Sequence, residues 1–443
     1  MHKEVLSWKV LKGIRCVDYM DIFGEVMIAS EDFDWNELVA VLAEAVHDER
    51  LLRMGFWVSG WSEAFEKAGL TTAAMRLIEI LRSQTFDVFN DKFFNYGSSG
   101  SLVNIGLFAV WLARRSRAVG PESALKGVQR FLEKNKAPVI NTLVLAGVRV
   151  NKEYDVGGDF KLAPLSSLGQ YDIAHLDEYL YSMRQAWGMV IPSAALIIID
   201  STSLGHNSSA EASEIERSKL FNQELFWLVL NLFCSEGAPT PLGRWHLLPE
   251  WAPFSGCLDG GYSSALEIKH SKTDEDIDDL NVEKAIALYE RIKNLAEGIR
   301  APIIIALYRL SQSMNTWDRV QQAIDLGVAL EAVLTPSNNT DQLSFQFRLL
   351  GALLTGDTLE DRLHAHDIFK AIYILRSKAV HNGVLPDSKF KVYGREAKLS
   401  SQDVMIEGGR LARLAIIRII DMGGISTEDY PAFILSAGGR ELK

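Results

Sequence analysis

Beyond Ala301-Pro302 the chain shows no strand signal of any length, and that absence restricts its C-terminal third to an all-α fold. Apolar residues recur at helical spacing over 303–334, 341–354, 363–381 and 401–421, with a short helix expected near 429–435. The links between these stretches are short, which suits antiparallel neighbours in a bundle. The expected boundary of this part is Pro302.

Upstream the texture is mixed. The first 135 residues read mostly helical (36–49, 64–82 and 124–134), with a loop at Tyr96-Gly-Ser-Ser-Gly-Ser101. From Val139 β-branched residues dominate to Val150, and 160–165 continues after the turn-like Asp155-Val-Gly-Gly-Asp159. A further strand is expected at 195–200, a polar loop over 201–218 with Asn207, Ser208 and Ser209, and an apolar helix at 220–234. Strands at 245–248 and 265–269 precede an acidic run, 274–279, which leads a helix at 282–295. The expected fold is an α+β N-terminal region (1–218), a mixed helix and strand connection (219–300), then the helical domain (301–443).

Composition narrows the function classes. A 48% apolar, 23% charged chain is ordinary globular material, and no apolar run reaches eighteen residues; 105–112 and 194–199 are the best candidates. The N-terminus lacks the pattern of a secretory leader. A soluble cytoplasmic protein with no membrane partner is expected. Cys16, Cys234 and Cys257 are too widely spaced for a disulfide framework or a CxxC zinc site. A net charge of −11 argues against nucleic-acid binding over the whole surface, though not at a local basic site. No phosphate loop, HExxH, GxSxG or dinucleotide fingerprint is present, so no metal or cofactor is expected. His364 and His366 lie two apart, roughly 200° around a helix, and read as surface or capping residues.

One segment carries chemistry: 373–383, with Arg376 five positions before His381. Gly383 and Pro386 are stop signals, placing His381 and Asn382 in or just past the last turn, where an imidazolium is favoured. Tyr373, Ser377 and His381 form one stripe, while Arg376 lies about 140° from His381 and converges with it only if the helix frays. Glu331 falls within about 20° of a stripe through Trp317, Val320, Ile324 and Val328, so it needs a cation, and Arg376 is the natural partner. Such a pair can also do no more than orient two helices, with His381 as a cap. Between 362 and 398, eight basic residues face three acidic ones, a local charge of +5.

Arg376-Ser-Lys-Ala-Val-His-Asn-Gly383 resembles the RSxxxH form of the HEPN superfamily motif. The layout is similar too. A helix ending in Ala329-Leu-Glu-Ala-Val333 is followed by one crossing Phe347-Arg-Leu-Leu350, then by the motif helix and by Gly408-Gly-Arg-Leu-Ala-Arg-Leu-Ala415. The likeness covers roughly 301–425 and makes the helical domain HEPN-like. It implies a metal-independent endoribonuclease acting as a homodimer with a composite cleft, with Arg376 and His381 catalytic and Glu331 and Ser377 beside them. Tyr373, Lys378 and Asn382 are the implied substrate-binding positions. Asn382 stands where many relatives have Gly, a departure that bears on the helix end. The expected partners are RNA, a second copy and a regulatory protein or antitoxin. The expected role is in toxicity or antiphage defence, under control of the N-terminal region. The alternatives are a non-catalytic HEPN module binding RNA, nucleotide or protein, and a purely structural scaffold.

Overall fold

The computed structural model describes residues 33–54, 68–90, 92–96, 99–134, 136–168, 193–203, 210–234, 239–255, 260–263, 275–335, 343–425 and 432–435. Cys16, Cys257, the strand expected at 265–269 and the Asn207–Ser209 triplet lie outside them, as does much of the helix expected near 429–435. The chain is of mixed α+β class and divides into two compact units. The first comprises 1–95, 101–136 and 203–207; the second comprises 96–100, 137–202 and 208–443.

The first unit is built on α1 (Trp35–Ala45), α2 (Glu49–Arg53), α3 (Thr72–Leu81), α4 (Ile105–Val119) and α5 (Pro121–Lys134). The helix expected at 36–49 is two helices, because the Asp48 carboxylate caps a new start by accepting from the N–H groups of Arg50 and Leu51. Its other oxygen accepts from Thr71 N–H at 2.7 Å, tying α2 to the start of α3. Phe89 stacks on Phe108 at 4.2 Å, and Phe131 and Trp111 extend this aromatic core. Part of the Gly/Ser stretch read as a plain loop is strand: Tyr96 ends β1 (Lys92–Tyr96) and Ser99 begins β2 (Ser99–Val103), which pair as a two-stranded sheet.

The second unit contains β3 (Lys136–Ala146), β4 (Val148–Arg149), β5 (Tyr154–Val156), β6 (Phe160–Pro164), β7 (Ala194–Ser203), α6 (Ala210–Leu230), β8 (Thr240–Leu247), β9 (Gly260–Ser263) and β10 (Glu275–Asp276). Six strands form one sheet in the order β5-β6-β7-β3-β8-β9, and β10 pairs with β4 in parallel. The strands alternate between two buried faces. Leu143, Leu145, Leu162 and Leu196 point to the side of Phe226 on α6, while Val144, Ala163, Ile197 and Trp245 form a second core opposite. Of the polar stretch 201–218, expected to be a loop, 201–203 belong to β7 and 210–218 to α6.

Then follow α7 (Asp279–Lys293), α8 (Glu297–Asn315), α9 (Arg319–Leu334), α10 (Leu343–Thr355), α11 (Leu359–Asn382) and α12 (Ser401–Asp421). The single helix expected over 303–334 is split into α8 and α9, since Asp318 accepts from Val320 N–H and opens a new helix. Trp317 is therefore 64% exposed, and the core face of α9 runs through Ala323, Leu326, Ala329 and Leu330 rather than along the expected stripe. Pro302 lies inside α8, so the helix starts before the expected break. Buried residues of α6, α7 and the sheet join those of α8 to α12 in one continuous core.

Candidate functional site

The site begins with a missing side chain. Gly327 lies on α9 where α11 crosses it, and a Cβ there would come within 2.7 Å of Arg376 Cβ and closer still to its Cγ. Without that atom the Arg376 stem lies flat on α9. Glu331, one turn further along the same face, meets the guanidinium: Arg376 Nη2 donates to Glu331 Oε2 at 2.9 Å. Both side chains keep a little over a quarter of their surface exposed, 29% and 27%. Burial pushes the Glu331 carboxyl up and Arg376 pulls it back, with a net rise. Arg376 Nε is buried and meets no acceptor among the described residues.

α11 is held at both ends. Thr358 and Asp361 form a reciprocal capping box at its start, and Gly383 closes it in the left-handed conformation, φ 68°, with its N–H on Ala379 O. The helix is regular through Asn382, so the fraying that would swing Arg376 and His381 together does not occur. Arg376 turns into α9. His381 stands exposed on the last turn, about 140° away around the axis. Within one chain the structure thus joins Arg376 to Glu331 and leaves His381 apart. Ser377 is half-buried, and Lys378 and Asn382 are exposed. Tyr373 is half-buried, its ring edge-on to Phe347 at 5.8 Å.

His364 and His366 serve α11 in other ways. His364 Nδ1 donates to the Tyr393 carbonyl at 3.1 Å, with Nε2 3.4 Å from Glu407, and His366 lies beside Asp367. No cluster of three metal-ligating side chains occurs among the described residues.

Three features escaped the sequence reading. Gly327 was legible as a glycine inside a helix, four residues before the carboxylate it serves. Asp325, 2% exposed and bound by Arg309 at 2.9 Å, is a second carboxylate on α9; its place on the core face depends on the helix break at Thr316–Asp318. The third is a polar pair of contacts inside the sheet. Arg244 donates to Gln223, and His246 Nδ1 meets Asn141 Oδ1, all four buried between β3, β8 and α6. Burial, with the Arg244 charge beside it, pushes His246 down to about 4. A cavity of about 280 Å³ lined by Phe233, Cys234, Arg410, Arg413 and Ile417 contains none of the expected site residues.

No family model, curated protein or solved structure matches this chain.

Proposed function

We propose that this chain is a metal-independent endoribonuclease of HEPN type that works as a homodimer. The reading is carried by the Arg376–Glu331 pair, a permanently charged fork fixed at 2.9 Å on the same helix that exposes His381 in its last turn. RNA supplies its own nucleophile. An imidazole takes the proton of a 2′-hydroxyl as that oxygen attacks phosphorus, the P–O5′ bond breaks, and an imidazolium protonates the leaving oxygen. The guanidinium neutralises charge gathering on the non-bridging oxygens. Products are a 2′,3′-cyclic phosphate and a 5′-hydroxyl. Two-fold pairing of the motif helices supplies two copies of each group, which suits a chain whose own Arg376 and His381 point apart. Ser377, Lys378, Asn382 and Tyr373 border the cleft in this reading. The biological setting in this reading is toxicity or antiphage defence, with a regulatory N-terminal region and a regulatory partner or antitoxin.

A second reading is a non-catalytic HEPN module that binds RNA, nucleotide or protein. It is favoured by the separation of Arg376 from His381 on a helix that stays regular to Asn382. One experiment divides the two. The 443-residue chain is expected to cut single-stranded RNA in EDTA, and His381→Ala to abolish cutting with its thermal melt unchanged. Cutting that survives this substitution removes His381 from the mechanism, and RNA bound but never cut supports the second reading.

A further inference from the structure

Between α11 and α12 the chain makes an excursion that the proposed chemistry does not use. Phe390 and Leu399 exchange both backbone hydrogen bonds, at 2.8 and 2.9 Å, and close a hairpin whose tip holds residues 391–398. Val392 plugs the tip into the core at 1% exposure. Gly394, φ 73°, turns the chain immediately after Tyr393. The Tyr393 backbone is bracketed by α11: its N–H donates to Asp367 Oδ2 at 3.0 Å, and its carbonyl accepts from His364. Ser401 Oγ donates to the Pro386 carbonyl at 2.8 Å and ties the hairpin's base. The hairpin therefore lies back along α11, from the last turn at His381 to Asp367, fourteen residues and about 21 Å earlier.

What this pinned hairpin carries is charge. Lys389, Lys391, Arg395 and Lys398 are exposed, and among the described residues none has an ion-pair partner. On α12, by contrast, Arg410 pairs with Glu407 and Arg418 with Asp357. Asp367, the nearest carboxylate on α11, is spent on the Tyr393 N–H. Lys370 is exposed and unpaired as well, and sits only about 20° around the α11 axis from His381. Four cations and one carboxylate, Glu396, thus sit on a hairpin pinned to α11 at His364 and Asp367, a local charge of +3 in a protein whose net charge is −11.

We propose that the 389–398 hairpin is a binding track for the phosphate backbone of single-stranded RNA, guiding it along α11 toward His381. Its partner class rests on the nuclease reading. The elements suit a backbone rather than a sequence: lysines act as point charges, and among the four only Arg395 offers a fork. A polyanion is also what a surface of unpaired cations inside an acidic protein attracts.

The test compares His381→Ala, which binds without cutting in the reading above, with the same variant carrying Lys389→Gln, Lys391→Gln, Arg395→Gln and Lys398→Gln. Affinity for a mixed-sequence single-stranded RNA is measured over a range of salt. The slope of log affinity against log salt is expected to fall by about 0.7 for each lost contact, so by between about 2 and 3 for the four. A thermal melt matched to the parent establishes that the fold is intact. An unchanged slope and affinity overturn the proposal, as does loss of binding to an acidic polypeptide with RNA binding untouched. Failures separate cleanly. RNA bound through the hairpin by a wild-type chain that never cuts sinks the nuclease reading alone, whereas cutting with an unaltered slope sinks the track alone.

Discussion

Glu331 is pushed up the pH scale by burial, and Arg376, 2.9 Å away, pulls it back only part of the distance. A carboxyl whose folded pKa lies above its unfolded value disfavours the folded state at neutral pH, and that penalty is relieved as pH falls and it protonates. The pair is therefore weak evidence for stability and better evidence for positioning a charge. Gly327 is what allows it. Gly327→Ala would drive a methyl to within 2.7 Å of the Arg376 Cβ, which belongs to the stem rather than to a mobile end. The expected outcome is a loss of about 1–3 kcal/mol in denaturant unfolding, with RNA cleavage reduced as the guanidinium moves. A variant as stable and as active as the parent would show that α9 and α11 do not need this close approach.

At the scale of elements, β8 carries two heavily buried ionisable side chains onto the face that α6 covers. Arg244 is 3% exposed and His246 5%, with Gln223 and Asn141 as partners. Gln223 also donates to Leu196 O at 3.0 Å, so the helix is pinned to the sheet by polar contacts as well as apolar ones. His246 is neutral near pH 7, held down to about 4 by burial. An unfolded chain would protonate it near 6.5. The folded form then binds fewer protons in that window, so stability is full above 6.5 and is lost as pH falls toward 4, by at most about 3 kcal/mol. His246→Gln is expected to flatten this limb of a stability–pH curve measured by chemical unfolding. A limb of unchanged slope would mean that other groups set it.

Across the whole molecule, the helices that carry the site are not a free-standing bundle. Phe226 on α6, Ile292 on α7, Leu307 on α8 and Ile416 on α12 belong to one continuous apolar core. A fragment of residues 301–443 would expose that shared surface and would also lack the first turn of α8, which starts at Glu297. It is expected to be helical by far-ultraviolet circular dichroism yet to melt without cooperativity and to bind a hydrophobic dye. A sharp cooperative transition in the fragment would instead place a real domain boundary near Pro302. No helix among the described residues is long and apolar enough to cross a membrane.

Periodicity made the helices of the C-terminal third legible, because a buried face repeats every 3.6 residues whatever it packs against. The Arg376–Glu331 pair was expected from a stripe through Trp317 that is not the core face of α9, and it forms because a half-buried carboxylate needs a cation wherever it sits. The split at Asp318, the start of α8 before Pro302 and the folding of 201–203 into strand and 210–218 into helix were not legible, because local polarity is the same in a cap, a helix end and a loop. Only the tertiary structure placed Gly327 beneath Arg376 and Tyr393 between Asp367 and His364. Those contacts join residues far apart in the chain, and the spacing of one segment holds no information about what another will press against it. The sequence by itself determined which side chains needed partners; packing decided which partners they met and left His381 on the surface.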